Sequence, residues 1–372
     1  MNNELSILIQ QLKSASTPES VFGILVGKTA DDKLEEIKKI YQRLVVVAHP
    51  DKFIDPNDKA PATEAFKLLQ KLYEQAEARI KSNSYGDATK ASMPSGPLTI
   101  TSKKSTIILK DQYSAGAIAD IFHGTIEDKS GNQDVLVKLA RNPKSNPFMM
   151  NESAILKHLH KDDGTGLSEL IPVCLDSFAV LDSATKANRQ ATVFPDTTDL
   201  VSLADVITAY PDGINERDMA WMYKRMLAAL HYAHSKGVIH GSVIPPHVLL
   251  NTKNHGILLI DWTQSVQDGK NPIRAIEEEY ADYYPKEVFD KKVPTAATDI
   301  YMAAMTIIKI LGGDVKNKKV PDVVQKDLRL ILQACTLNNS RLDSALEIHE
   351  EFNTAIRKLF GPAKFREFVV SK

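Results

Sequence analysis

The chain has 372 residues, 43% of them hydrophobic and 25% charged, and a formal net charge of −1. That length accommodates about two or three domains with sizeable cores, and the near-zero charge gives no basis for nucleic acid or an anionic membrane as a partner. Cys174 and Cys335 lie too far apart in sequence to indicate a disulfide framework or a zinc site. No apolar run reaches the ~20 residues that span a bilayer, and MNNELSILIQQL lacks the cationic start of a signal peptide, so the expected location is cytoplasmic.

Residues 1–82 read as helices. Leu5, Leu8, Ile9 and Leu12 repeat at helical spacing. Thr17 and Pro18 suit the N-cap and first position of a short helix over Pro18–Val26, with Gly27 ending it. Thr29 caps a longer helix with Asp31 and Asp32 in its first turn, where the dipole favours negative charge. Its buried stripe is Leu34, Ile37, Tyr41 and Leu44, with Lys38, Lys39 and Arg43 outside, and Pro50 stops it near His49. A last helix over Ala62–Ile80 buries Ala65, Phe66, Leu69, Leu72, Tyr73 and Ala76.

Two antiparallel helices joined by a loop bearing His49-Pro50-Asp51, the first reading EEIKKIYQRLVVVAHPDK, resemble the J-domain of the DnaJ co-chaperone family. The resemblance implies that His49, Pro50 and Asp51 engage a DnaK-type chaperone and trigger its ATP hydrolysis. The basic face of Lys38, Lys39 and Arg43 would steer that encounter. Gln42 and Val47 stand where the family is often basic. No Gly/Phe-rich segment and no cysteine-pair zinc module follow, so client choice falls to the rest of the chain.

Residues 83–97, rich in Gly, Pro and Ser, read as a flexible linker. Short β-type runs follow at Thr99–Leu109, Ala117–Thr125 and Asp134–Leu139, then a helix over Pro147–His160, with helices dominating after Leu200. Val248–Leu250 and Ile257–Ile260 flank a polar turn as a hairpin, with His240 before it and Asp261 after it. VIHGSVIPPHVLLNTKNHGILLIDWT thereby resembles the catalytic and metal loops of a protein kinase.

In that register Gly241 replaces an arginine, Ser242 the catalytic aspartate, Ile244 a lysine and His247 the metal-binding asparagine; Asp261 keeps the metal aspartate. Upstream, Tyr113–Gly124 stands at the phosphate loop with Gly116 retained and Ser114 and Ala119 at its other glycine positions. Val135-Leu136-Val137-Lys138 resembles the strand whose lysine reaches the nucleotide phosphates, and Glu152, 14 residues on, the glutamate that pairs with it. Ala191–Phe194 leads to the hinge, and Met219–Ser235 is a long amphipathic helix. His240 resembles the family's structural histidine, Asp299 the aspartate that pins the catalytic loop, and Arg341 the partner of a glutamate, here Glu287 beside Tyr284-Pro285-Lys286.

The expected fold is multidomain: an all-α J-domain hairpin, then an α+β two-lobed protein-kinase-like fold. Its β-rich N-lobe spans residues 98–195 and its α-rich C-lobe 196–361, leaving 362–372 as a C-terminal tail. Phosphoryl transfer depends on positioned charge, and losing a general base costs roughly 10²–10⁴-fold. Ser242 is not basic at neutral pH, Ile244 removes a positive charge, and His247 offers nitrogen where magnesium prefers oxygen. Gly116, Lys138, Glu152 and Asp261 are the expected nucleotide residues, Asp261 holding magnesium with ATP. The reading that follows is a co-chaperone with a pseudokinase domain that binds nucleotide or recruits an unknown protein client. An active atypical kinase or nucleotidyl transferase, with His247 or another residue as base, and a docking module without nucleotide stay open.

Overall fold

The structure is a computed structural model. It describes residues 5, 8, 9, 12, 15, 18–23, 25, 29–53, 55–81, 85, 98–128, 131–181, 187–267, 269–337 and 342–370. The chain divides into two compact units, Met1–Leu98 and Thr99–Lys372.

The first unit contains α1 (Glu19–Phe22), α2 (Ala30–Ala48) and α3 (Pro56–Lys81). A reciprocal box opens α2: the Asp32 N–H donates to Thr29 Oγ1 at 3.1 Å, and the Thr29 N–H to Asp32 Oδ2 at 3.0 Å. Ile37, Leu69 and Ala76 are fully buried between α2 and α3, together with Leu5, Leu8 and Leu12 of the N-terminal segment. Tyr41 stacks on Tyr73 with ring centroids 4.2 Å apart.

Three boundaries differ from expectation. Helix α1 stops at Phe22 because Gly23 takes a φ of 74°; Thr17 and Gly27 lie outside the described residues. Helix α3 starts at Pro56, six residues before Ala62, because the Asp55 carbonyl accepts the Asp58 and Lys59 N–H groups. Pro61, near the helix start, therefore forfeits one ladder bond without ending the helix. Tyr85 falls within the stretch expected as linker, yet its hydroxyl donates to the Gly23 carbonyl at 3.0 Å and its ring packs on the helical core. The rest of 82–97 lies outside the described residues.

The second unit begins with a six-stranded antiparallel sheet: β1 (Leu98–Thr101), β2 (Thr106–Ala115), β3 (Ala119–Asp128), β4 (Gly131–Ala140), β5 (Asp176–Leu181) and β6 (Asn188–Pro195), in the order β1-β2-β3-β4-β6-β5. The run expected as one strand over Thr99–Leu109 breaks in two, because Ser102 Oγ accepts the Lys104 and Ser105 N–H groups and turns the chain. Central β4 is buried from Val135 to Ala140, as a strand covered on both faces should be. Helix α4 (Asn146–Leu159) covers one face, burying Met149, Glu152 and Leu156.

The remainder is mostly helical: α5 (Leu203–Ala209), α6 (Glu216–Ser235), α7 (Lys286–Phe289), α8 (Ala296–Ile310), α9 (Lys326–Cys335) and α10 (Ala345–Phe360). Its small strands are β7 (Val201–Ser202), β8 (Val238–Ile239), β9 (Val248–Asn251), β10 (Gly256–Leu259) and β11 (Val266–Gln267). Helices α6 and α8 carry the core; Met222, Tyr223, Met226 and Leu230 of the first are fully buried, as are Ile300, Met302 and Ile307 of the second. The hairpin β9–β10 pairs Val248 with Leu259 and Asn251 with Gly256, and so delivers His247 and Asp261 to one edge. The expected tail is part of this unit: Phe368 is buried, and Arg366 Nε donates to Asp218 Oδ1 at 2.8 Å.

Candidate functional site

Strand β4 places Lys138 opposite Thr192 of β6 and Ile121 of β3, with its side chain turned toward α4. Its ammonium lies 3.0 Å from both Glu152 carboxylate oxygens and 3.3 Å from Asp261 Oδ2. Glu152 Oε1 also accepts the Trp262 N–H at 3.1 Å, so one carboxylate ties strand, helix and the loop after β10 together. The neighbouring Asn151 Nδ2 donates to the Ser265 carbonyl at 2.9 Å and adds a second tie to that loop. Sequence spacing points to Glu152 but gives no sign of Asn151.

Burial disfavours the charge on Lys138, but Asp261 and Glu152 outweigh it and raise the ammonium's pKa. Burial, with the like charge of Asp261, pushes Glu152 up against the pull of Lys138. Lys138 is held charged because two carboxylates stand at contact distance from its one ammonium. For Asp261, burial is likewise overcome by Lys138, His247 and the hydrogen bonds from Thr263, which hold its carboxyl well below the usual range. Its backbone stands at φ 61°, a conformation favoured by Asp and Asn among residues with side chains.

The cluster closes one end of a cavity of about 360 Å³, lined on its apolar side by Ile121, Leu136, Phe194 and Leu258. That size and lining suit a planar ring system with a charged extension. Gly116 lies in the turn between β2 and β3, where its N–H donates to the Ala119 carbonyl at 2.9 Å; it is outside the cavity wall. An added Cβ there would meet that carbonyl oxygen at 3.1 Å, so Gly116 serves the tight turn.

The loop below the cavity is pinned by Asp299, whose two carboxylate oxygens accept the His240 and Gly241 N–H groups at 2.7 and 2.8 Å. His240 is fully buried and donates from Nε2 to the Ile260 carbonyl, and burial lowers its pKa to about 4. Ile244 is fully buried in the apolar core and does not line the cavity. Ser242 is 1% exposed, and its Oγ lies 2.9 Å from the hydroxyl of Tyr284, itself buried. The base position is thus sealed by a ring 42 residues on, a contact with no sequence signal. His247 Nδ1 donates to the Ser242 carbonyl at 2.9 Å, leaving Nε2 3.8 Å from Asp261 Oδ2. Glu287 accepts from Thr298 Oγ1, while Arg341 lies outside the described residues.

Lys38, Lys39 and Arg43 lie on α2, and Lys39 pairs with Glu35 at 2.9 Å. His49 ends α2 and its Nδ1 accepts the Asp51 N–H at 3.3 Å, while its ring meets Phe66 edge-on at 5.7 Å. Pro50 and Asp51 form the short turn that follows.

Residues 119–364 match the protein kinase domain family. The chain belongs to that family. Residues 22–85 match the DnaJ domain, so this protein-kinase-family member carries an N-terminal J-domain. It is similar to a probable serine/threonine-protein kinase of Dictyostelium discoideum, 27% identical over 158 residues, 42% of this chain and 23% of that one. STE20-related kinase adapter protein alpha of Mus musculus is 28% identical over 131 residues, 32% of this chain and 30% of that one. STE20-related kinase adapter protein strd-1 of Caenorhabditis elegans is 29% identical over 121 residues, 31% of each. The chain therefore spans less than a third of the length of these curated relatives. Among the described residues no helix is long and apolar enough to cross a membrane.

Proposed function

We propose that the chain is a J-domain co-chaperone that stimulates a DnaK-type ATPase through His49, Pro50 and Asp51. Its protein-kinase-family unit binds a nucleotide and recruits a client without transferring phosphate. One observation carries the second half. Lys138, Glu152 and Asp261 converge on a cavity of nucleotide size, while Ser242 at the base position is buried under Tyr284. Cation and carboxylate are arranged for holding a polyphosphate, and no buried hydroxyl can take a proton from an incoming substrate. The similarity to kinase adapter proteins supports the same reading.

ATP would lie with its base against Leu136 and Leu258 and its phosphates at Lys138. The donor set fits one divalent ion. Asp261 Oδ1 is engaged by Thr263 and Oδ2 pairs with Lys138 at 3.3 Å; both are anionic oxygens of the kind magnesium takes, and Asp261 lines the cavity. A bound ion would neutralise phosphate charge there. His247, a nitrogen donor, does not supply the second oxygen site. The cytoplasm suits a protein of this type.

The test is thermal unfolding of the full chain with and without ATP and magnesium, beside a transfer assay with γ-phosphate-labelled ATP. Nucleotide should raise the melting temperature by mass action. Lys138→Ala or Asp261→Asn should remove most of that rise, with no label transferred to protein, chaperone or generic substrate. Absence of a shift with any nucleotide would leave a docking module. Transfer dependent on Asp261 would make the chain an active transferase, with His247 the first residue to replace.

A further inference from the structure

A second concavity, of about 560 Å³, lies between α6, α10, the β9–β10 turn and the C-terminal segment after Gly361, and shares no lining residue with the nucleotide-type cavity. Five basic side chains line it: Arg217, Lys224 and Arg225 from α6, and Lys364 and Arg366 from the C-terminal segment. Among the described residues no carboxylate lines it. In a chain of net charge −1, this is a local concentration of positive charge.

The walls are built. Trp221 stacks on His255 at 4.4 Å and His255 on Phe365 at 4.4 Å, and His255 Nε2 lies 2.8 Å from the Arg366 carbonyl. The Arg217 guanidinium sits over the Phe360 ring at 4.3 Å. These contacts hold the C-terminal segment against α6 and fix the width of the groove. Arg366 is paired with Asp218, and Lys224 donates to Asn353 Oδ1 at 2.6 Å. The cations also press on one another: burial, then Arg357 and Arg225, lower the Lys224 pKa, and burial, then Lys224, lower that of His349 in the groove wall. A bound anion would relieve that repulsion.

We propose that this groove is a docking site for an extended acidic peptide. From Arg217 to Arg225 α6 runs about 12 Å, which an extended strand covers with about four residues at roughly 3.3 Å each. A single phosphate would meet only one or two of the cations, and a flat bilayer cannot follow a groove walled on both sides. Acidic side chains along a short strand satisfy α6 and the C-terminal segment together, at a place separate from the nucleotide-type cleft. The groove gives the client or a further partner a chemistry that the co-chaperone reading leaves open.

The test uses the full chain and a fluorescein-labelled hexaglutamate peptide, read by anisotropy at about 50 mM salt, where exposed charges are weakly screened. Saturable binding is expected. Lys224→Gln with Arg225→Gln should weaken it at least about tenfold, while Lys316→Gln with Lys326→Gln, exposed cations elsewhere on the unit, should change it less than about twofold. Where the double variant unfolds, Arg225→Glu alone, at an exposed position, reads the same effect. The ATP thermal shift should persist in these variants, which separates failure here from failure of the nucleotide reading. No saturable binding, or equal loss with both pairs, would overturn the proposal. So would binding of phosphatidylserine vesicles or inorganic phosphate in place of the peptide.

Discussion

At position 241 the backbone stands at φ 79°, and a Cβ would come 3.0 Å from the Gln264 carbonyl oxygen and 3.2 Å from the Ile273 side chain. The residue that replaces the kinase arginine is therefore fitted to its place. Ser242 beside it is sealed by Tyr284 and leaves no room for a solvated carboxylate. Restoring the family pattern with Gly241→Arg and Ser242→Asp should lower unfolding free energy by about 2–4 kcal/mol, from backbone strain and a buried charge. It should yield no phosphate transfer; denaturant midpoints and a labelled-ATP assay read both effects. His240 makes a second residue-scale prediction. Its pKa falls from 6.5 to about 4 on folding, so between those values the unfolded chain binds more protons and stability drops as pH falls. Asp261, held low, adds a further loss only below its ordinary carboxylate range, near pH 4. Lowering the pH from 7 to 4 should cost about 3 kcal/mol through His240. That slope should flatten in His240→Gln, measured as denaturation midpoint against pH.

Among the elements, α2 and its loop carry the first proposed activity. The Thr29–Asp32 box satisfies donors that the helix start leaves open, so Thr29→Ala should destabilise the helical unit by about 1 kcal/mol, seen as a lower melting temperature. His49→Gln removes a ring that packs on Phe66 and accepts from Asp51. It should abolish stimulation of a cognate DnaK-type ATPase while the helices persist by circular dichroism; equal stimulation by the variant would refute the J-domain role. Elements were legible in sequence where local chemistry acts alone: the Thr29 cap, the stop at Pro50, and the Lys138–Glu152 spacing across a strand and a helix. They were illegible where a single side chain or a distant partner decides. Ser102 bends a run of β-formers into two strands through its own hydroxyl. Tyr85 leaves a linker-like composition to cap the helical core, and Tyr284 reaches Ser242 across 42 residues. The segment after Gly361 looks like a dangling end in sequence, yet Phe368 and Arg366 bind it to α6.

At the scale of the molecule, the two proposed activities rest on separate cores. Every buried member of the helical core comes from residues 5–80, with Tyr85 packed against it, and the large core of the second unit draws on residues from Ile155 to Phe368. Perturbations in the two units are expected to add, as they do at independent sites. Lys138→Ala should abolish the ATP thermal shift and leave chaperone stimulation within about twofold of the parent. His49→Gln should do the reverse, and the double variant should show both losses, each as large as in the single variant. The check is a double-mutant cycle that reads ATPase stimulation with and without saturating ATP analogue at the kinase-family unit. A change in stimulation on filling that cavity, abolished by Lys138→Ala, would mean that nucleotide at one unit governs chaperone engagement at the other. The second unit would then act as a sensor that sets when the J-domain works, and client capture at a separate groove would be only one of its roles.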